Sequence, residues 1–144
     1  MLVKISDDVR INLASVSNIN VLKDKMVFNM CYSFTDRGNI TNGYYYVDLE
    51  NNKFMESSFF KNNFAKIVGE DRKVFINKNH VSLIKKDFTN NPKIIVSFNH
   101  SVMRHDFDDL VFGPGYIYVK VNSDEVDKKY KKLISDIENL LARS

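Results

Sequence analysis

The order V-x-I-N-x-x-x-V-S-x-I occurs twice in this chain, and it restricts the fold more than any other feature of the sequence. Val9, Ile11, Asn12, Val16, Ser17 and Ile19 carry it first, and Val74, Ile76, Asn77, Val81, Ser82 and Ile84 carry it again 65 residues later. Each copy alternates apolar and polar side chains at the period of a half-buried strand, breaks at an Asn, and resumes. Two further blocks follow in the same order. Lys25-Met26-Val27-Phe28-Asn29-Met30 is matched by Lys93-Ile94-Ile95-Val96-Ser97-Phe98 at an offset of 68, and Gly43-Tyr44-Tyr45-Tyr46-Val47 by Gly115-Tyr116-Ile117-Tyr118-Val119 at an offset of 72. Loop insertions between retained strands produce that growth in offset. Three blocks in one order point to an internal duplication. The alternative is two unrelated meanders that share common strand patterns.

Taken in order, Leu2 to Ile5, Val9 to Leu13, Val16 to Val21 and Met26 to Phe34 read as strands, with Lys23-Asp24-Lys25 as a tight hairpin loop. Asp36 to Gly43 carries turn chemistry, and Tyr44 to Leu49 is the next strand. Met55, Phe59, Asn63, Phe64 and Ile67 fall at helical spacing, with Asn51 or Asn52 placed to cap them. After Gly69-Glu70-Asp71 the strand series repeats. The chain ends in an apolar stripe, Val126, Tyr130, Leu133, Ile134, Ile137, Leu140 and Leu141, which predicts a helix with Asn122 as N-cap and Glu125 completing a capping box. Asp124 with Lys128, Glu125 with Lys129 and Asp127 with Lys131 stand at the favourable acid-before-base spacing. Each half, 1–68 and 69–144, therefore reads as a ββββα-like repeat. With 144 residues the two halves suffice for one shared core, so the expected fold is a single α+β domain of two units about a pseudo-twofold axis.

Several chemistries are excluded or weakened. With 44% hydrophobic and 27% charged residues the chain has the composition of a folding, globular protein. No apolar run approaches a membrane span, and Met1 to Ile5 leads into strand alternation instead of a signal peptide, so a cytoplasmic protein with no membrane partner is expected. Cys31 is the single cysteine, which rules out an intrachain disulfide and reads as a small buried hydrophobe. Gly113-Pro114-Gly115 is a turn and not a phosphate loop, and no enzyme motif is recognisable. His100, His105, Asp106, Asp108 and Asp109 gather ligand-type side chains in ten residues, yet their spacing fits no common metal site and Arg104 lies among them. They read as a polar hairpin loop, His80 reads as a turn residue, and neither a metal nor a cofactor is expected.

Tyrosines and lysines offer more. Tyr44 and Tyr46 share one face of their strand, as do Tyr116 and Tyr118 in the matched block. Beside Lys85, Lys86, Lys93, Arg104 and Lys120, exposed rings of this kind would stack single-stranded bases while the cations met phosphates. The competing reading places the same rings in cross-strand packing.

A strand-rich repeat ending in a helix, present twice, with Gly43 to Val47, Gly115 to Val119 and the Val119-Lys120-Val121-Asn122-Ser123 entry to the last helix, resembles the whirly-type and transcriptional-coactivator single-strand DNA binders. The second half, with Ile76-Asn77 before Val81, also looks like small flagellar-operon β-proteins. The first resemblance implies two sheet-plus-helix units forming one binding body. The expected function is thus non-enzymatic binding of single-stranded DNA or RNA. The mild net charge of +3 suits the alternative, a protein-interaction module such as a small phage or plasmid regulator that occupies a host protein. Self-association into a homo-oligomer stays open.

Overall fold

The computed structural model describes residues 1–37, 39–88, 91–106 and 109–143, with backbone alone for 33–36, 39–42, 102–106 and 109–114. Period-2 alternation is realised as strands throughout. A hairpin of β1 (Leu2–Ser6) and β2 (Val9–Asn12) turns Val3 and Ile11 inward. A meander follows: β3 (Val16–Val21), β4 (Lys25–Asp36) and β5 (Asn39–Asp48). A 3₁₀ turn at Lys53–Glu56 and the short helix α1 (Ser58–Asn63) close the first series. The second runs through the hairpin β6 (Phe64–Val68) and β7 (Lys73–Asn77), the meander β8 (Val81–Asp87), β9 (Lys93–Asp106) and β10 (Asp109–Lys120), and the long helix α2 (Val126–Ala142). All described ladders are antiparallel, so the chain is α+β.

The repeated motif has a local physical basis. Asn12 and Asn77 are both extended (φ −82°, ψ 113° and φ −76°, ψ 116°), and each precedes a single 3₁₀ turn, Leu13–Ser15 or Lys78–His80. Their carboxamide oxygens accept from Ala14 N at 3.1 Å and Asn79 N at 3.0 Å, which satisfies an N–H that the turn leaves open. The chain then re-enters a strand at Val16 or Val81. Asn is needed at the break because a short carboxamide reaches the backbone two residues on.

The second hairpin does not stay with its own meander. β7 pairs with β3 at Asn18↔Ile76, Ile19↔Phe75, Asn20↔Val74 and Val21↔Lys73, giving a five-stranded sheet of order β5-β4-β3-β7-β6 beside the three-stranded sheet β10-β9-β8. Two cores result. Val3, Ile11, Leu13, Ile19, Met26, Phe28 and the Phe54–Phe60–Phe64 aromatic chain fill one; Val74, Ile76, Ile94, Val96, Val119, Leu133 and Ile137 fill the other, roofed by α2. Full burial of a side chain such as Leu133 contributes about 1.5–3 kcal/mol.

Several local expectations are corrected, among them the turns read from Asp36 to Gly43 and at Gly113-Pro114-Gly115, where the backbone is strand in β5 from Asn39 and in β10 throughout. The helical spacing through Ile67 ends at Asn63, because Phe64 to Val68 is drawn into a ladder with β7, with Ala65 to Val68 alternating buried and exposed. Phe64 keeps its contact with Phe60, rings stacked at 4.9 Å, from the strand side. Ser57, not Asn51 or Asn52, caps α1, accepting from Phe60 N at 3.2 Å. At α2 the capping box is not made. Glu125 N donates to the Asn122 carbonyl at 2.9 Å, one turn before the helix, and the Glu125 carboxylate turns forward to Lys129 at 3.1 Å. Asp127 reaches Lys86 of β8 at 2.6 Å instead of Lys131, since the sheet brings a cation nearer than the next helical turn does.

The same repeat position takes different work in the two units. Leu13 is an apolar core residue, whereas Lys78 is buried and donates through Nζ to the Leu140 carbonyl of α2 at 2.7 Å. A cation there meets the negative end of the helix dipole and binds the second unit's 3₁₀ turn to its helix.

Candidate nucleic-acid interface

Strand alternation decides where the tyrosines point. Gly43, Tyr45 and Val47 turn inward on β5, as Gly115, Ile117 and Val119 do on β10, so the residues between them must face out. Tyr44, Tyr46, Tyr116 and Tyr118 are 47%, 59%, 55% and 45% exposed, which removes the core-packing reading for all four. Tyr44 and Tyr46 meet edge to face at 5.5 Å.

A cation stands over one ring in each unit. Lys25 Nζ lies 4.5 Å from the centroid of Tyr46, and Lys93 Nζ lies 5.7 Å from that of Tyr118. Lys25 and Lys93 occupy matched positions in the repeated blocks, as do Tyr46 and Tyr118. Lys25 was legible in the sequence as the mate of Lys93 and was not singled out there. The surroundings differ. Lys25 stands opposite Asp48 in the β4–β5 ladder, and Lys93 stands between Asp87 of β8 and Lys120 of β10, so each has a carboxylate opposite it and Lys93 has a second cation besides.

Register separates the remaining lysines. Lys85 faces Ile95, which faces Tyr118; residues directly opposite share a face, so Lys85 joins the Tyr118 side of the sheet. Lys86 faces Ile94 and Val119, on the side covered by α2, where it pairs with Asp127 and lies 5.2 Å from the Tyr130 ring. The Lys86 ammonium holds the Asp127 carboxyl below its usual range, first by hydrogen bond and then by charge. Lys86 is therefore on the other face from the tyrosines. The side chains of Arg104, His105, Asp106 and Asp109, and all of Asp108, lie outside the described residues. Among the described residues no three His, Cys, Asp or Glu side chains come together as a metal site.

A polar seam lies beside the tyrosine faces. Asn18 Oδ1 accepts from Asn20 Nδ2 at 2.8 Å and from Asn29 Nδ2 at 2.9 Å, and Asn20 Oδ1 accepts from Arg72 Nη1 at 2.8 Å. Arg72 also donates to the Tyr118 carbonyl, so one guanidinium joins the five-stranded sheet to β10.

His100 has a structural role that its repeat-mate explains. The Tyr32 ring lies over Gly43, where an added Cβ would come within 2.6 Å of it, and the His100 ring lies over Gly115, where the distance would be 2.7 Å. In both units an aromatic ring covers a strand glycine. His100 also stacks on Phe98 at 5.7 Å, and its buried Nδ1 has no hydrogen-bond partner among the described residues. Burial, and then the nearby His80 charge, push its pKa below the ordinary 6.5. Protonation is thus easier in the unfolded chain, so the stability held above the unfolded pKa is lost as pH falls through the folded one. The melting temperature is expected to fall as pH drops below the ordinary histidine pKa of about 6.5, and His100→Tyr, which repeats the Tyr32 arrangement, should flatten that fall in a calorimetric pH series.

Comparison with family models, with curated proteins and with solved structures finds no match. Function has to be argued from these faces.

Proposed function

We propose that this chain is a non-enzymatic single-stranded nucleic-acid-binding protein whose two units arose by duplication, lie about a pseudo-twofold axis and present tyrosines to bases and lysines to phosphates. One observation carries the reading: each sheet holds exposed tyrosines, with a lysine ammonium over the ring of Tyr46 or Tyr118. A base can stack on the open ring while the cation meets its phosphate, a sequence-tolerant mode of binding. Gly115-Tyr116-Ile117-Tyr118 with Lys85, Lys93 and Lys120 is the stronger half, because Lys93 has a second cation, Lys120, opposite it as well as Asp87, and Lys85 shares the Tyr118 face. A cytoplasmic setting and a whirly-type or coactivator-type binding body fit this reading.

The test is fluorescence anisotropy with a labelled oligothymidylate at stepped salt. Binding should weaken steeply with salt. Tyr46→Ala with Tyr118→Ala should cost about 1–3 kcal/mol per lost stack, a fall of roughly 5- to 150-fold each. Lys25→Ala and Lys93→Ala should each lower the salt slope by about one. Absence of binding at low ionic strength removes the reading.

The alternative, a small phage-type regulator that occupies a host protein, is favoured by the exposed strand β8, where Leu83 is 49% exposed. A partner retained from nuclease-treated lysate and identified by mass, with no oligonucleotide binding, would decide for it.

A further inference from the structure

β3 and β8 are matched elements with unequal neighbours. Each follows an Asn-capped 3₁₀ turn and pairs on one side with the next strand of its meander, β4 or β9. On its other side β3 carries β7, whereas β8 carries no strand among the described residues. The counterpart of β7 in the first unit is β2, which pairs with β1 on one side and has no strand on the other among the described residues. Among the unpaired strand edges of the described residues, those of β2 and β8 are therefore the two halves of the joint that the chain makes internally between β3 and β7.

Hydrogen-bond phase shows that these edges are complementary. In an antiparallel ladder, directly bonded pairs alternate with pairs whose N–H and C=O groups point away from each other. Leu13 N bonds to Met1 O at 2.9 Å, which makes Val3↔Ile11 a bonded pair and turns the backbone groups of Arg10 away from β1, to the open side. Val121 N bonds to Pro92 O at 3.1 Å, which by the same alternation bonds Ile117 and Val119 to Val96 and Ile94 and aims Ile95 at β8. Lys85 is then bonded to Ile95, while Ile84 and Lys86 present their backbone groups to the open side. The internal joint has this same phase. Leu22 N to Lys25 O at 2.8 Å and Gly69 N to Arg72 O at 2.8 Å leave Ile19, Val21, Lys73 and Phe75 to bond across β3 and β7.

We propose that a second copy of this chain docks its β2 edge on β8, repeating the β3–β7 joint between molecules. The matched register places Ile84 opposite Arg10 and Lys86 opposite Asp8 as bonded pairs, with Lys85 opposite Val9 and Leu83 opposite Ile11. Charge favours this pairing at Lys85, which comes beside Asp8 of the hairpin turn, while Lys86 keeps Asp127 and Asp7 keeps Lys4. It also covers Leu83, an exposed leucine on an open edge. Donor and acceptor edges differ, so the contact is head to tail, and each added copy leaves one edge of each kind free.

Sedimentation of the full chain from low micromolar to near-millimolar concentration tests this. Mass should rise from the 16.8 kDa monomer past the dimer without levelling there. Arg10→Pro and Lys86→Pro each delete an outward N–H and leave the β1 and β9 ladders intact. Each variant alone should stay monomeric, and an equal mixture should stop at the dimer, because it holds one usable edge of each kind. Hydrogen exchange on the unmodified chain needs no variant: the Arg10, Ile84 and Lys86 amides should slow as concentration rises. A wild-type monomer at every concentration with fast exchange at these amides overturns the proposal, and so does a dimer that Arg10→Pro leaves unchanged.

Discussion

Gly69→Ala is expected to destabilise the fold by about 2–3 kcal/mol, read as a fall in melting temperature of about 6–12 °C. Gly69 follows β6 in the turn to β7, where the edge of β10 comes closest. A Cβ there would stand 2.3 Å from Val119 Cγ1 and 2.9 Å from the Lys120 carbonyl oxygen. Neither neighbour can yield. Val119 is fully buried in the α2 core, and the Lys120 carbonyl accepts from Glu70 N at 2.9 Å. Gly69 N is itself held by the Arg72 carbonyl at 2.8 Å, so the turn cannot back away without losing its own closing bond. At Gly43 or Gly115 the added methyl meets only a ring edge, of Tyr32 or His100, and the cost should be smaller.

The second large effect separates two residues that the sequence treats alike. Asn77→Ala should cost about 2–4 kcal/mol and Asn12→Ala about 1 kcal/mol or less in denaturant unfolding. Both side chains cap a 3₁₀ turn, but only Asn77 is fully buried, and its Nδ2 also donates to the Val16 carbonyl at 2.9 Å. That bond lies where β7 meets β3. Removing it strands a carbonyl beside the fully buried Val16, with no water to replace the donor. Asn77→Asp checks the cause. It keeps the cap acceptor yet places a carboxylate against the Val16 carbonyl, so it should be at least as harmful as Ala. Equal costs at Asn12 and Asn77 would show that capping alone matters.

Much of the fold was legible because it is local. The alternation through Tyr44 to Val47 and Tyr116 to Val119 placed Tyr44 with Tyr46 and Tyr116 with Tyr118 on shared faces, and the structure shows those faces to be the exposed ones. The Asn break at Asn12 and Asn77 proved to be a cap. Where apolar spacing is compatible with two periods, as from Phe59 to Ile67, the pattern could not choose, and the ladder with β7 chose strand. The lysines show the same limit. Lys85 and Lys86 are neighbours in the chain, yet one joins the Tyr118 face and the other is held by Asp127 under α2, because adjacent strand residues point to opposite sides and only the position of the helix says which side is covered. His100 read as part of a polar hairpin loop; the structure puts it in β9, where the glycine beneath its ring gives it a packing role.

By itself, the sequence determined that this chain makes two series of antiparallel strands, each interrupted at an Asn, and which side chains of each strand share a face. Only the tertiary structure decided what lies across each edge. Val16-Ser17 and Val81-Ser82 begin strands of one pattern, but β3 is buried along almost its whole length while β8 is exposed at four of its seven residues. A period of two specifies the faces of a strand and is silent about its edges. Which strand fills an edge depends on residues more than fifty positions away, here the arrival of β7 beside β3, and on the absence of any described strand on the side of β8 away from β9.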